Sequence, residues 1–146
     1  MEDQTVRNME KRKKRFLKRY RKNVDCIERL ERKKVDLESR IGSVKSPSLS
    51  GMPRGGTPVT QADLVSEKID LEKRIEKLKE KNHKVKEEIL EEIDALEDTR
   101  YCEVMEAHFI DGLTFERIAE YMGYTERHIY NLYKEAISLL VVMDIS

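Results

Sequence analysis

The sequence predicts an all-α protein, with long, coiled-coil-like helices in its N-terminal part and a compact domain of shorter helices at its C-terminus. Three observations predict it. Residues 3–41 and 61–97 contain no Gly or Pro and carry apolar residues at helical spacing. All three prolines and four of the six glycines lie in the gap between these stretches, at 42–60. From residue 98 onward, capping and turn residues recur at short intervals.

The first helix spans residues 1–41 as a basic amphipathic element. Phe16, Tyr20, Val24, Ile27, Leu30, Leu37 and Ile41 recur in steps of three, four and seven, which places them on one face. The spacing predicts that this helix ends before Gly42. Residues 42–60, GSVKSPSLSGMPRGGTPVT, hold too many helix breakers to propagate a helix and too few apolar residues to bury. A flexible linker is expected there.

Residues 61–97 return to a helical pattern. Leu64, Leu71, Leu78 and Val85 repeat every seven residues. Ile75, Ile89 and Leu96 fall on a second seven-residue series in the same seam, with Asn82 in the slot between Ile75 and Ile89. Such a seam needs a partner. Either it pairs with itself in a homodimer, or it folds back on the first helix as an antiparallel hairpin. The dimer is the preferred reading, with both arrangements able to coexist. Asn82 in the seam either sets register and oligomer state or marks a solvated break.

Residues 98–146 read as a helix-turn-helix domain. A helix over 98–110 is followed by a turn at Asp111-Gly112. Thr114 caps a helix over 115–122, Gly123 stops it, and Thr125 caps a last helix over 126–141. A helix-turn-helix needs a small residue where its helices cross, a glycine in the turn and apolar residues on the inner face of the second helix. Ala119, Gly123, Ile129 and Leu132 supply these in order, with Ile118 and Met122 completing the core.

The outer face of the last helix then carries the candidate chemistry. Arg127, Asn131 and Lys134 share a face at i, i+4 and i+7. Arg127 has the donor fork for a guanine edge, Asn131 matches an adenine edge, and Glu126 can accept from cytosine. Thr125, His128, Tyr130 and Lys134 are placed for the DNA backbone. Double-stranded DNA is the expected partner.

Charge patterning adds a second feature. Charged residues are 40% of the chain, which suits long solvated helices, and 29 basic residues cancel 29 acidic ones. The distribution is polarised. Residues 1–41 hold 15 basic against 8 acidic side chains, whereas residues 98–146 hold 4 against 9. A negative helix-turn-helix domain lacks the phosphate neutralisation that DNA affinity leans on. The run KRKKRFLKRYRK at 11–22 can supply it through Lys11, Arg12, Lys13, Lys14, Arg15, Lys18 and Arg19.

Other chemistries find little footing. Cys26 and Cys102 lie far apart and read as free thiols. His83, His108 and His128 are scattered, and His108 is expected to pack within the first short helix. No Gly-rich phosphate loop or catalytic carboxylate pair stands out. No stretch approaches the ~20 apolar residues of a membrane span, and the start of the chain is too polar for a secretory signal. The expectation is a cytoplasmic, non-enzymatic protein without metal or cofactor.

Over residues 96–140 the sequence resembles the C-terminal domain of bacterial sigma factors, which reads the promoter −35 element, and the matching elements lie in GLTFERIAEYMGYTERHIYNLYKEAISLL at 112–140. That resemblance puts Glu126, Arg127 and Asn131 on base-reading positions and Tyr130 on a backbone-contacting one. Sigma factors commonly carry Arg, Glu and Gln at the three base-reading positions, so the target differs. Nothing here resembles the sigma domain that melts the −10 element. The overall layout is similar to ArpU-type phage late-gene transcriptional regulators. It implies a phage or prophage activator, with contact to host RNA polymerase. Two other classes fit the same motifs: a coiled-coil adaptor whose helix-turn-helix binds RNA polymerase or another protein, and a DNA-packaging accessory like a small terminase subunit.

Overall fold

The computed structural model describes residues 2–43 and 59–142. Among them every regular element is a helix: α1 (Glu2–Ser43), α2 (Gln61–Asp94), α3 (Thr99–Phe109), α4 (Phe115–Met122) and α5 (Glu126–Leu139). The fold is all-α, as the periodicity predicts. No helix among the described residues is long and apolar enough to cross a membrane. Of the expected linker, residues 44–58 lie outside the described residues. Gly42 falls inside the last turn of α1 rather than beyond it.

The helices form two compact units, and each takes part of α1 and part of α2. One unit is Asp25–Lys81. In it Ile27 and Leu30 pack against Ile75, with Leu71 and Leu78 alongside. Leu37 and Leu64 are also buried. Salt bridges run Glu31–Lys79 (3.0 Å), Lys34–Glu72 (3.8 Å) and Glu38–Lys68 (3.5 Å). Partner numbers fall on α2 as they rise on α1, so the helices are antiparallel. These pairs are partly exposed and each contributes at most about 1 kcal/mol; the apolar seam carries the pairing. At the start of α2, the Thr60 hydroxyl accepts from the Asp63 N–H and the Asp63 carboxylate accepts from the Thr60 N–H, both at 3.1 Å. This reciprocal cap satisfies two N–H groups the helix end leaves over. The backbone bond from Thr60, and then its hydroxyl, hold the Asp63 carboxyl below its ordinary pKa.

The other unit is Met1–Val24 with Asn82–Ser146. Its core joins Phe16 and Leu17 of α1, Val85, Ile89 and Ile93 of α2, and the inner faces of α3, α4 and α5. Here the structure departs from the segment boundaries read from sequence. The basic arm and the last part of the heptad helix belong with the helix-turn-helix. Leu17, absent from the predicted apolar face, is fully buried. Lying between Phe16 and Lys18, it widens the face that Phe16 and Tyr20 define.

The seam that was expected to join two copies is therefore covered within one chain. Leu64, Ile75, Asn82, Val85 and Ile89 are buried, and Leu71 and Leu78 half-buried. Of the two arrangements the heptads allow, the Asp25–Lys81 unit contains the antiparallel pairing.

α2 stops at Asp94, three residues before its predicted end. Leu96 turns into the core, and the Cys102 thiol donates to the carbonyls of Ile93 (3.3 Å) and Leu96 (3.4 Å). Asp98 then caps α3 from an extended backbone, its side chain accepting from the Arg100 N–H at 2.9 Å. Burial pushes the Cys102 thiol up in pKa, with Asp94 adding to it.

Candidate nucleic-acid interface

The local chemistry of α4 and α5 follows from three residues. Thr114 and Thr125 sit in extended backbone, and their hydroxyls accept from the N–H groups of Arg117 (3.3 Å) and His128 (3.1 Å). Gly123 takes φ 73°, the left-handed conformation that ends α4. The Tyr124 N–H then closes back on the Ala119 carbonyl at 3.0 Å. Ala119, Ile118, Ile129 and Leu132 are buried and Met122 packs partly against them, as the helix-turn-helix pattern requires. Tyr133, Ala136, Ile137 and Leu140 extend that core beyond the motif.

With its inner face buried, α5 exposes Glu126, Arg127, Tyr130, Asn131 and Lys134, while His128 is half-buried. Arg127, Asn131 and Lys134 share one exposed face. Glu126 sits in the first turn, where the helix dipole favours a carboxylate. Thr125 spends its acceptor on the cap and keeps its hydroxyl hydrogen for a second partner. His128 packs edge-on against Tyr124, with ring centroids 4.7 Å apart. Tyr130 rests on Phe115 and Tyr133, and the Lys134 amine lies 5.6 Å over its ring.

The basic arm packs on this domain and divides in two. Lys13 donates to the carbonyls of Ile137 (2.9 Å) and Ser138 (3.2 Å), at the end of α5 where the helix leaves carbonyls unpaired. Lys14 lies 5.9 Å over the Tyr133 ring. Arg19 pairs with Glu88 at 2.8 Å and stacks 4.5 Å over Phe16. Lys13, Lys14 and Arg19, expected on the DNA backbone, thus make contacts inside the protein. Lys11, Arg15 and Lys18 are exposed and share a face at i, i+4 and i+7, which Lys22 continues; Arg12 is exposed beside them. The unit as a whole holds 16 basic and 18 acidic residues. The unit is therefore not net positive as a whole, and the stripe and the outer face of α5 are two of the places where it exposes cations.

Other side chains serve the fold. His108 Nδ1 donates to the Leu113 carbonyl at 2.9 Å, and its ring stacks on Phe115, the packed role expected of it. Tyr101 donates to the Glu135 carboxylate at 2.7 Å, a bond that raises its pKa ahead of burial. Burial likewise raises Tyr133. Cys26 and Cys102 are free thiols. Among the described residues no group of three or more His, Cys, Asp or Glu lies close enough to hold a metal ion.

Comparison with curated proteins and with solved structures finds no match. A family model does match, described as a protein of unknown function (DUF1492), over residues 43–141. That match runs from the end of α1 through α5 and covers more than half of the chain, so the protein belongs to the DUF1492 family.

Proposed function

We propose that this protein is a sequence-specific, double-stranded-DNA-binding transcriptional regulator. α5 enters the major groove N-terminal end first. Arg127, Asn131 and Glu126 read base edges, and Thr125, His128, Tyr130 and Lys134 hold the backbone. The exposed arm residues Lys11, Arg12, Arg15 and Lys18 neutralise flanking phosphates. The observation that carries this reading is the two-sidedness of α5. Its apolar inner face is buried, and the opposite face presents a donor fork, an amide and an amine in a row.

The resemblance to sigma-factor C-terminal domains and ArpU-type regulators makes the regulator a phage or prophage activator working in the host cytoplasm with RNA polymerase. A homodimer would bind through a surface other than the heptad seam, because that seam is already covered.

Selection of bound sites from random duplex DNA, at near-physiological salt, tests the proposal. The expected result is an enriched motif that disappears in the Arg127→Ala, Asn131→Ala double variant. Equal retention of all sequences would overturn it.

A further inference from the structure

The Asp25–Lys81 unit leaves large aliphatic side chains of both its helices in solvent: Val35 is 64% exposed, Val65 39% and Ile69 45%. The ion pairs locate them. Lys34–Glu72 and Glu38–Lys68 mark one flank of the apolar seam. Val35 follows Lys34 and Ile69 follows Lys68, and one residue turns roughly 100° further round a helix. Because the two helices are antiparallel, that step turns toward the same broad face on both. Val65, four residues before Ile69, lies on that face as well. Small or aliphatic residues extend both rows. Val35, Ser39 and Gly42 on α1, and Ala62, Val65 and Ile69 on α2, are all exposed. A Cβ at Gly42 would meet nothing within 4 Å, so the row is open there. At the same level the opposite broad face exposes Lys33, Asp36 and Arg40 on α1 and Glu67, Asp70 and Arg74 on α2. The hairpin is thus two-sided, with uncharged rows on one broad face and charge on the other.

We propose that the face carrying Val35, Val65 and Ile69 is an interface between two copies of this chain, in which two hairpins stack as a four-helix bundle. A two-helix hairpin buries one stripe of each helix, and a second hairpin laid on it adds the core layer it lacks. The occupant must bring uncharged rows at the same spacing, which a copy turned about a two-fold axis does. Lys34, Glu38, Lys68 and Glu72 are matched within the chain, so the cover needs no charge to meet them. The described residues of the unit hold 11 basic and 11 acidic side chains, so two copies meet without net repulsion. At helix dimensions the face is roughly 28 Å long and 20 Å wide. Two copies then cover roughly 1,100 Å², where specific interfaces give way to transient ones. The dimer should therefore form with rising concentration rather than be obligate. This surface is distinct from the covered heptad seam, and the proposal stands whether or not α5 reads DNA.

Sedimentation of the full chain without DNA, across a concentration series reaching roughly 100 μM, tests it. The expected result is a reversible monomer–dimer equilibrium. The Val35→Lys, Ile69→Lys variant sets like charges against each other and should raise the Kd at least about ten-fold. Both positions are exposed, so helix content should match the wild type. The milder Val35→Ala, Ile69→Ala variant should weaken the dimer in the same direction. Lys33→Gln with Asp70→Asn, on the opposite face, should leave the equilibrium unchanged. A wild type that stays monomeric, or a dimer that both Val35 and Ile69 variants leave intact, would overturn the proposal. So would equal weakening by the opposite-face variant.

Discussion

The Asn23 amide donates to the Asn82 side-chain carbonyl at 3.1 Å, and the Asn82 amide donates to the Tyr20 backbone carbonyl at 3.3 Å. Asn82 is only 4% exposed. A polar residue that interrupts an apolar seam is thus satisfied from α1 within its own unit. A buried amide without partners is costly, so this pair penalises any register that separates Asn23 from Asn82. We expect Asn82→Ala to lose about 1–3 kcal/mol in urea unfolding. Asn82→Leu should instead retain or raise stability while shifting the chain toward larger species in sedimentation, because the seam loses its polar key. An Asn82→Leu variant that sediments like the wild type would remove the specificity role.

Lys13 makes a different prediction from its neighbours in the basic run. Its amine serves the carbonyls of Ile137 and Ser138, so Lys13→Met should cost about 1 kcal/mol of stability. It should leave the salt dependence of DNA binding unchanged. Replacing Lys11, Arg15 and Lys18 together by Gln should do the reverse. Stability should hold, while the slope of log affinity against log salt flattens by roughly one unit for each phosphate no longer neutralised. Matching slopes for the two variants would show that the arm does not sort into these two roles.

How much of this was legible depended on the distance over which each feature is encoded. Thr114, Gly123 and Thr125 act on backbone groups within a few residues, and the sequence places α4 to the residue. The heptads of α2 show that a face needs cover, but not what covers it. Ile75 meets Ile27 and Leu30, and Asn82 meets Asn23, across a long stretch of chain that no periodicity spans. In the basic arm, charge hid packing. Nine basic residues of twelve suggest a solvated arm, yet Leu17 is fully buried and Lys13 closes the end of α5. Arg21 was equally hidden, since only the fold brings its guanidinium over the Gly112 turn.

Arg127 and Asn131 test the base-reading proposal individually. Arg127→Ala or Asn131→Ala should each relax discrimination at one base pair by about 1–3 kcal/mol. Both positions are exposed, so neither change should alter thermal stability. Competition binding with single-base variants of the selected site measures this. Losses of equal size on specific and random duplexes would assign that residue to the backbone.

Asp98 predicts a pH dependence. Its carboxylate takes the Arg100 guanidinium first and the Arg100 N–H second, and both hold its pKa below the ordinary aspartate value. A lowered folded pKa means the cap contributes fully above the unfolded-state pKa. The contribution is lost as pH falls from there through the folded value. Asp98→Asn keeps a capping side chain but has no proton to gain. Across that acid window, wild-type stability should therefore fall more steeply than that of Asp98→Asn. Parallel acid-unfolding curves would contradict the assignment.

Gly112 and Gly123 share one backbone conformation but differ in surroundings, which separates two costs. Their φ angles are 74° and 73°. A Cβ at Gly123 would meet nothing within 4 Å, whereas at Gly112 it would come within 2.7 Å of the Arg21 guanidinium carbon. Gly123→Ala should therefore cost only the left-handed strain of a non-glycine residue, about 1–2 kcal/mol. Gly112→Ala should cost that and also the displacement of Arg21. The guanidinium is the far end of a flexible side chain, so the extra cost should be modest and should belong to the pair. Placing each alanine in turn in an Arg21→Ala background tests this. There the two substitutions should become equal in chemical unfolding, because only strain remains. If Gly112→Ala stays the costlier in that background, the difference lies in the turn itself.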